Sequence, residues 1–393
     1  MNEAARMRAE VITFELGTFD VHHVALTVHH RGLTEPLTFD FTESPRLTTS
    51  QLAFALSPLC GTQYEEIRFR FPVNDAMRQR IEGWTGSRVI AESPAEQEAK
   101  GTEDSHRGGV VLNFSGGFDS LAARLLLPSN TTLVSMDFGG KFARERMFYE
   151  QFHPLIVQTN IARTALKKNS WSFMGVGALM YQNLTNAQYL SFGGVYESTR
   201  FMDVNETWRV PTFQGFRAAG LVNAPATLGL TEVGTVCALI EAHPELVRDS
   251  LHSLASPGEE KYYRKISLVE AVTGILGVNI KTPRVKRWNR VHYRFGERLT
   301  VDATAAFFLS IGRRDLARRI VKDIPADFER AAAAENMDFF YAAHPGLYQG
   351  YPEELRGELE QGLKRNNISW YTEVERESLA RFKSLLSPYH RFG

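Results

Sequence analysis

The sequence predicts an α/β protein: a doubly wound, mostly parallel sheet, preceded by a β-rich zone and followed by a helical C-terminal region. Three observations carry that expectation. Residues 110–192 alternate short apolar runs with helix-period stretches, as strands buried on both faces do when crossover helices cover them. Before them, residues 10–71 hold several runs rich in β-branched and aromatic residues. After about residue 300, Ala, Leu, Glu and Arg recur at helical spacing. The expected domains are a β-rich (α+β) zone at 1–90, a linker at 91–109, a central sheet domain at 110–285 and a helical region at 286–393.

The elements follow in order. Strands are expected over 10–16 (EVITFEL), 24–29 (VALTVH), 37–41 (LTFDF) and 67–71 (IRFRF). The last alternates cleanly and should wet one face. A helix is expected over 75–84, with Asn74 or Asp75 as its cap. Residues 91–109 are polar and almost free of large apolar side chains, which suits a linker. The central zone predicts strands at 110–114 (VVLNF), 132–138, 155–159 and 189–192, separated by helices at 121–127, 142–152 and 171–184. Strand-helix alternation implies parallel pairing through right-handed crossovers. Helices are then expected over 302–324, 328–343, 352–364 and 371–386, with a Gly-, Tyr- and Pro-rich loop at 341–351.

Composition narrows the function. With 393 residues, 43% of them hydrophobic, the chain can bury a sizeable core. Lys plus Arg and Asp plus Glu both number 45, so a general nucleic-acid coat is disfavoured. Two cysteines, Cys60 and Cys237, exclude a disulfide scaffold and any site built on three or four thiolates. The opening residues carry no apolar run, and no stretch is long enough to cross a bilayer, so a cytoplasmic location is expected.

The chemistry concentrates in Ser115-Gly116-Gly117-Phe118-Asp119-Ser120, where the first buried strand meets a helix. Paired glycines permit a sharp turn and close approach of backbone to a ligand. The helix that follows offers amides without partners and a positive dipole end. Ser115 and Ser120 add hydroxyl donors. A phosphate chain suits such a loop. Asp119 would repel phosphate directly and better holds a Mg²⁺ bridging it.

This hexapeptide resembles the pyrophosphate-binding loop of the PP-loop ATP pyrophosphatases, which have the adenine-nucleotide α-hydrolase-like (HUP) fold. Further on, Met136-Asp137-Phe138-Gly139-Gly140 with Glu145, then residues 169–179, the SFGGVYES run at 191–198 and PGEEKYYR at 257–264 are similar to segments of the 7-cyano-7-deazaguanine synthases. The resemblance covers roughly residues 110–270. It implies ATP and Mg²⁺ as cofactors, AMP-forming adenylation of a carboxylate or oxo group, release of pyrophosphate, and attack by ammonia or an amine. It also implies cofactor-binding roles for residues 115–120, Asp137, Phe138 and Gly139, and catalytic roles for Asp119, Ser120, Glu197 and Arg264. The family's zinc thiolates are missing from 257–264, so no zinc is expected, and the family's deazaguanine substrate does not carry over. Sulfur transfer is disfavoured for want of a cysteine pair.

Several roles stay open at this level. Asp137 suits a ribose hydroxyl, a metal or a helix cap, and Phe138 an adenine ring or the core. Glu197 suits binding of Mg²⁺, positioning of a nucleophile, or a turn. Lys261, Arg264 and Lys265 suit a leaving pyrophosphate or solvent. Residues 280–298 hold seven Lys or Arg interleaved with Trp288, Tyr293 and Phe295, a mix that suits RNA or nucleotide contacts, although neutral net charge disfavours nucleic acid. The histidine pairs at 22–23 and 29–30 point to opposite faces of strands and are expected at the surface. A tRNA- or nucleic-acid-modifying enzyme and a non-catalytic nucleotide-binding subunit are the alternative functions. A homo-oligomer is expected.

Overall fold

The computed structural model describes residues 10–93, 108–206, 211–283 and 291–393. The chain forms two compact units. The first comprises Met1–Ser115, Asn130–Ser191 and Glu206–Ala224; the second comprises Gly116–Ser129, Phe192–Asn205 and Pro225–Gly393. These units do not follow the sequence zones, because the first contains both the β-rich zone and the strands of the central one. Most of the linker expected at 91–109 lies outside the described residues. Among the described residues, no helix is long and apolar enough to cross a membrane.

The first unit is built on a ten-stranded sheet. Its strands are β1 (Val11–Phe19), β2 (His23–His30), β3 (Leu33–Phe41), β4 (Glu66–Pro72), β5 (Arg88–Glu92), β6 (Gly109–Asn113), β7 (Thr132–Asp137), β8 (Leu155–Thr159), β9 (Ala187–Phe192) and β10 (Val222–Asn223), in the order β10-β9-β6-β7-β8-β3-β2-β1-β4-β5. Strands β6, β7 and β8 pair in parallel, as their apolar runs predict. β1, β2 and β3 form an antiparallel meander. On β4, Arg68 and Arg70 face outward while Ile67, Phe69 and Phe71 are buried, the alternation read from IRFRF. The meander joins the parallel strands through antiparallel β3–β8 pairing, Phe39 opposite Thr159 and Phe41 opposite Val157.

The order β8-β7-β6-β9-β10 is that of a doubly wound sheet. Strand succession reverses between β6 and β9, and such switch points leave a crevice beyond the carboxyl ends of the strands.

Several elements depart from expectation. A helix at Thr49–Leu56 was not foreseen; Thr48 and Gln51 form its capping box. Asn74 caps the helix Asp75–Thr85 by accepting from the Met77 amide at 2.8 Å. The helix expected over 142–152 is a 3₁₀ turn, a helix at Ala143–Tyr149 and a second 3₁₀ turn. The one expected over 171–184 breaks into a 3₁₀ segment, Trp171–Gly175, and two short helices, because Tyr181 leaves helical geometry. His30 is not a surface residue. It lies on the buried face of β2, 3% exposed, between the Tyr64 hydroxyl at 3.1 Å and Glu35 at 2.9 Å.

The second unit is helical: α1 (Phe118–Leu126), α2 (Glu232–Ala242), α3 (Pro244–Leu254), α4 (Glu260–Leu276), α5 (Leu299–Ser310), α6 (Arg314–Ile320), α7 (Ala326–Ala334), α8 (Glu353–Arg365) and α9 (Glu373–Leu386). The helix expected over 302–324 is two, α5 and α6, broken at the left-handed Gly312. That expected over 328–343 ends at Ala334, followed by a 3₁₀ turn at Asp338–Tyr341. Phe307, Phe339, Phe340 and Phe382 interlock in the core of this unit. The 341–351 loop contains a 3₁₀ turn, Pro345–Tyr348, whose Tyr348 is buried and donates to the Ala226 carbonyl at 2.9 Å.

Candidate functional site

The chain leaves the sheet after β6 through the Gly116-Gly117 bend. Gly116 has φ +72°, a conformation that side-chain-bearing residues rarely adopt. Gly117 is extended and stands at the N-cap of α1, which has no side-chain cap. The first-turn amides of a helix have no carbonyl one turn back to bond, so this end carries the positive pole of the helix toward whatever lies before it. The Ser250 hydroxyl, on α3, donates to the Gly116 carbonyl at 2.7 Å and fixes that peptide.

The segment that follows β9 closes on the same turn. A Cβ on Gly193 would lie 2.8 Å from the Ser120 nitrogen and 3.0 Å from the Asp119 carbonyl carbon. Only glycine allows two backbones to meet so closely. The loops from both strands flanking the switch point therefore touch at the start of α1.

Charge gathers around this turn. Lys265, on α4, is 1% exposed; its Nζ lies 3.7 Å from Asp119 Oδ1, 3.4 Å from Glu232 Oε2 and 5.6 Å from the centre of the Phe118 ring. Among the described residues its contacts to the two carboxylates are ion pairs longer than an ordinary hydrogen bond. A buried ammonium brings three donors, and leaving them unused is costly. Thr235 on α2 donates to Asp119 Oδ1 at 2.9 Å. The Phe118 side chain is buried and supports the ammonium from below. The Ser120 hydroxyl donates to the Gly117 carbonyl at 3.0 Å, inside the helix. Ser115 is exposed.

Arg264 is turned to other work. Its guanidinium donates to Glu232 and, at 3.0 Å, to Glu260. Burial opposes its charge, but those two carboxylates outweigh burial and push its pKa up. Glu232 is half-buried; desolvation opposes its charge, but Arg264 first and Lys265 second outweigh it and hold its pKa well below the ordinary carboxylate value. Of the three basic residues expected near a leaving group, Lys265 is the buried one beside the loop. It is not the solvated helix charge that the sequence allowed.

Glu197 is 5% exposed and accepts the Glu232 amide through both carboxylate oxygens, at 2.9 and 3.1 Å. It thus binds the first turn of α2, the helix that carries Glu232 and Thr235. Burial first, and the Glu232 charge second, raise its pKa. A raised folded-state pKa gives stability that is complete at low pH and declines as pH climbs through the shifted value. Glu197→Gln should flatten that decline. Urea midpoints measured between about pH 5 and pH 8 should show the variant gaining on the wild type as pH rises; parallel profiles would contradict this.

In the first unit, β7 ends at Asp137, which is 5% exposed. One oxygen accepts the Gly139 amide at 2.8 Å, and the other accepts Arg146 at 3.0 Å. Of the roles left open, the local one is filled: Asp137 holds its own turn. Phe138 is 4% exposed and packs edge-on against Phe142 and Phe173, so its ring belongs to the core. Gly139 has φ +61° and lies against the Arg163 guanidinium. Among the described residues, Asn113 Oδ1 on β6 and Ser191 Oγ on β9 are buried polar atoms without a hydrogen-bond partner.

Sequence reasoning missed Thr235, Glu232, Ser250 and Gly193. The Gly-Gly pair at 193–194 was the one available signal, since it promised a close backbone approach. The 257–264 segment starts α4, with the Gly258 amide donating to the Tyr263 hydroxyl at 3.1 Å. Among the described residues, no group of three or more His, Cys, Asp or Glu side chains is arranged to hold a metal. Residues 284–290, with Trp288 and most of the basic stretch, lie outside the described residues. No family model, no curated protein and no solved structure matches the chain.

Proposed function

We propose that the chain is an ATP-dependent, AMP-forming enzyme of the PP-loop, HUP-fold kind. The observation that carries this reading is the Gly116-Gly117 bend, opening onto a helix start without a side-chain cap beside the buried ammonium of Lys265. A polyphosphate answers each of these features. It takes amides at a positive helix end, and it supplies acceptors for Lys265.

In the proposed reaction, a carboxylate or oxo oxygen attacks the α phosphorus and pyrophosphate leaves. Ammonia or an amine then attacks the activated carbon and AMP leaves. The residues contribute position and charge. The bend and the α1 amides hold the departing phosphates, and Lys265 offsets the charge that grows on them. Arg264 acts on Glu232, keeping it ionised and in place. Glu197 anchors α2, so that Thr235 fixes the rotamer of Asp119.

A Mg²⁺ fits these residues only as a partner of the phosphates. Thr235 and Lys265 lie against one oxygen of Asp119, whose other oxygen is the protein's ligand in this reading; Mg²⁺ commonly takes one carboxylate and completes its shell with phosphate and water. Bound there, it would neutralise phosphate charge.

Asp119→Asn keeps the shape and the Thr235 contact but removes the charge. Pyrophosphate release from ATP, assayed with ammonium and a panel of small carboxylic acids, should fall by about 100-fold or more while the unfolding curve stays put. Release at the wild-type rate would contradict the role given to Asp119.

A further inference from the structure

A second cavity in the helical unit has a chemistry of its own. It measures about 330 Å³ and lies at the C-terminal ends of α5 and α7. Ser310, Ala334, Glu335, Asn336, Asp338 and Tyr341 are among the residues that line it, and none of its lining residues is basic. The polar part of this wall attracts positive charge, while Phe307, Ile311 and Met337 give it an apolar part. Two helices end here, and the carboxyl end of a helix is its negative pole. Two carboxylates, Glu335 and Asp338, stand at the wall, with the Ser310 hydroxyl and the Asn336 amide beside them. Arg381 pairs with Glu335 at 2.9 Å, and Asn336 donates to Asp338 at 2.7 Å. Those contacts hold the acids in place and leave each carboxylate further lone pairs. The volume is that of a small-molecule site.

We infer that this cavity binds a small organic cation bearing ammonium or guanidinium groups. Such a group brings several N–H donors to the acceptors of this wall, its carbon chain suits the apolar part, and its charge meets Asp338, the Glu335 oxygen that Arg381 leaves free, and both helix ends. The cavity is separate from the Asp119–Lys265 cluster, and the inference does not depend on the function proposed for that cluster.

Agmatine, which carries one group of each kind, is a suitable probe. Calorimetric titration of the full chain at physiological salt should show saturable binding with Kd below about 1 mM. Ala334→Lys plants a cation at the exposed edge of the cavity, and Asp338→Asn removes an exposed carboxylate; neither side chain supports the core. Each should weaken agmatine at least about tenfold. Absence of saturation up to about 10 mM would overturn the inference. So would binding that both variants leave unchanged, or that glutamate reproduces.

Discussion

Lys265→Met should remove ATP binding while leaving the fold standing. Methionine keeps nearly the volume of the lysine stem, so the packing over Phe118 survives. The charges left behind are provided for: Glu232 retains Arg264, and Asp119, 29% exposed, retains Thr235 and solvent. Stability should therefore stay within about 2 kcal/mol of wild type, less than the loss expected when a buried ion is left without any partner. Binding is another matter. A charge-assisted hydrogen bond to phosphate contributes about 1.5–3 kcal/mol, so losing one or two of them should weaken ATP roughly 10- to 10,000-fold. Calorimetric titration checks both the affinity and, through a parallel urea curve, the fold. Wild-type affinity in the variant would mean that Lys265 is a structural ion that meets no ligand.

Gly193→Ala should damage the same site from the opposite loop. The added methyl would meet the Ser120 nitrogen at 2.8 Å, the Asp119 carbonyl carbon at 3.0 Å and the Ser120 Cα at 3.1 Å. All three belong to backbone, which cannot swing aside as a side chain can. Either loop must shift, at a cost of about 1–3 kcal/mol. The start of α1 moves with it, and a displacement near 1 Å at a positioned reactant can cost about 100-fold in rate. Gly194→Ala provides the control. Its Cβ would find Leu228 at 3.5 Å and Ser198 at 3.9 Å, ordinary contacts, so stability and pyrophosphate release should barely change. Equal behaviour of the two variants would contradict the close approach of the loops.

The parts of this fold legible in the sequence are the local ones. VVLNF reads as a buried strand because successive residues 110–112 of β6 are buried, and Ile156 and Val157 give β8 the same signal although Gln158 is exposed. The bend at 115–120 is legible because paired glycines between a strand and a helix have few other uses. The joining of β3 to β8 was not legible. It rests on three residue pairs brought together across a long stretch of chain, and nothing local in LTFDF names its partner. Gly312 was read through because the apolar period continues on both sides of it, although the chain turns there. Lys265 was the costliest ambiguity. A lysine on a helix is ordinarily solvated, and only its setting beside Asp119 and Glu232 permits its burial. Phe138 shows the converse: an aromatic residue whose place after a strand suited an adenine ring packs in the core here.

The most direct test is a crystal structure of the chain with a non-hydrolysable ATP analogue and Mg²⁺. The account predicts phosphate oxygens within hydrogen-bond distance of the Phe118 and Asp119 amides and of Lys265 Nζ. A nucleotide bound elsewhere, or none at saturating concentration with Lys265 still facing only Asp119 and Glu232, would contradict it.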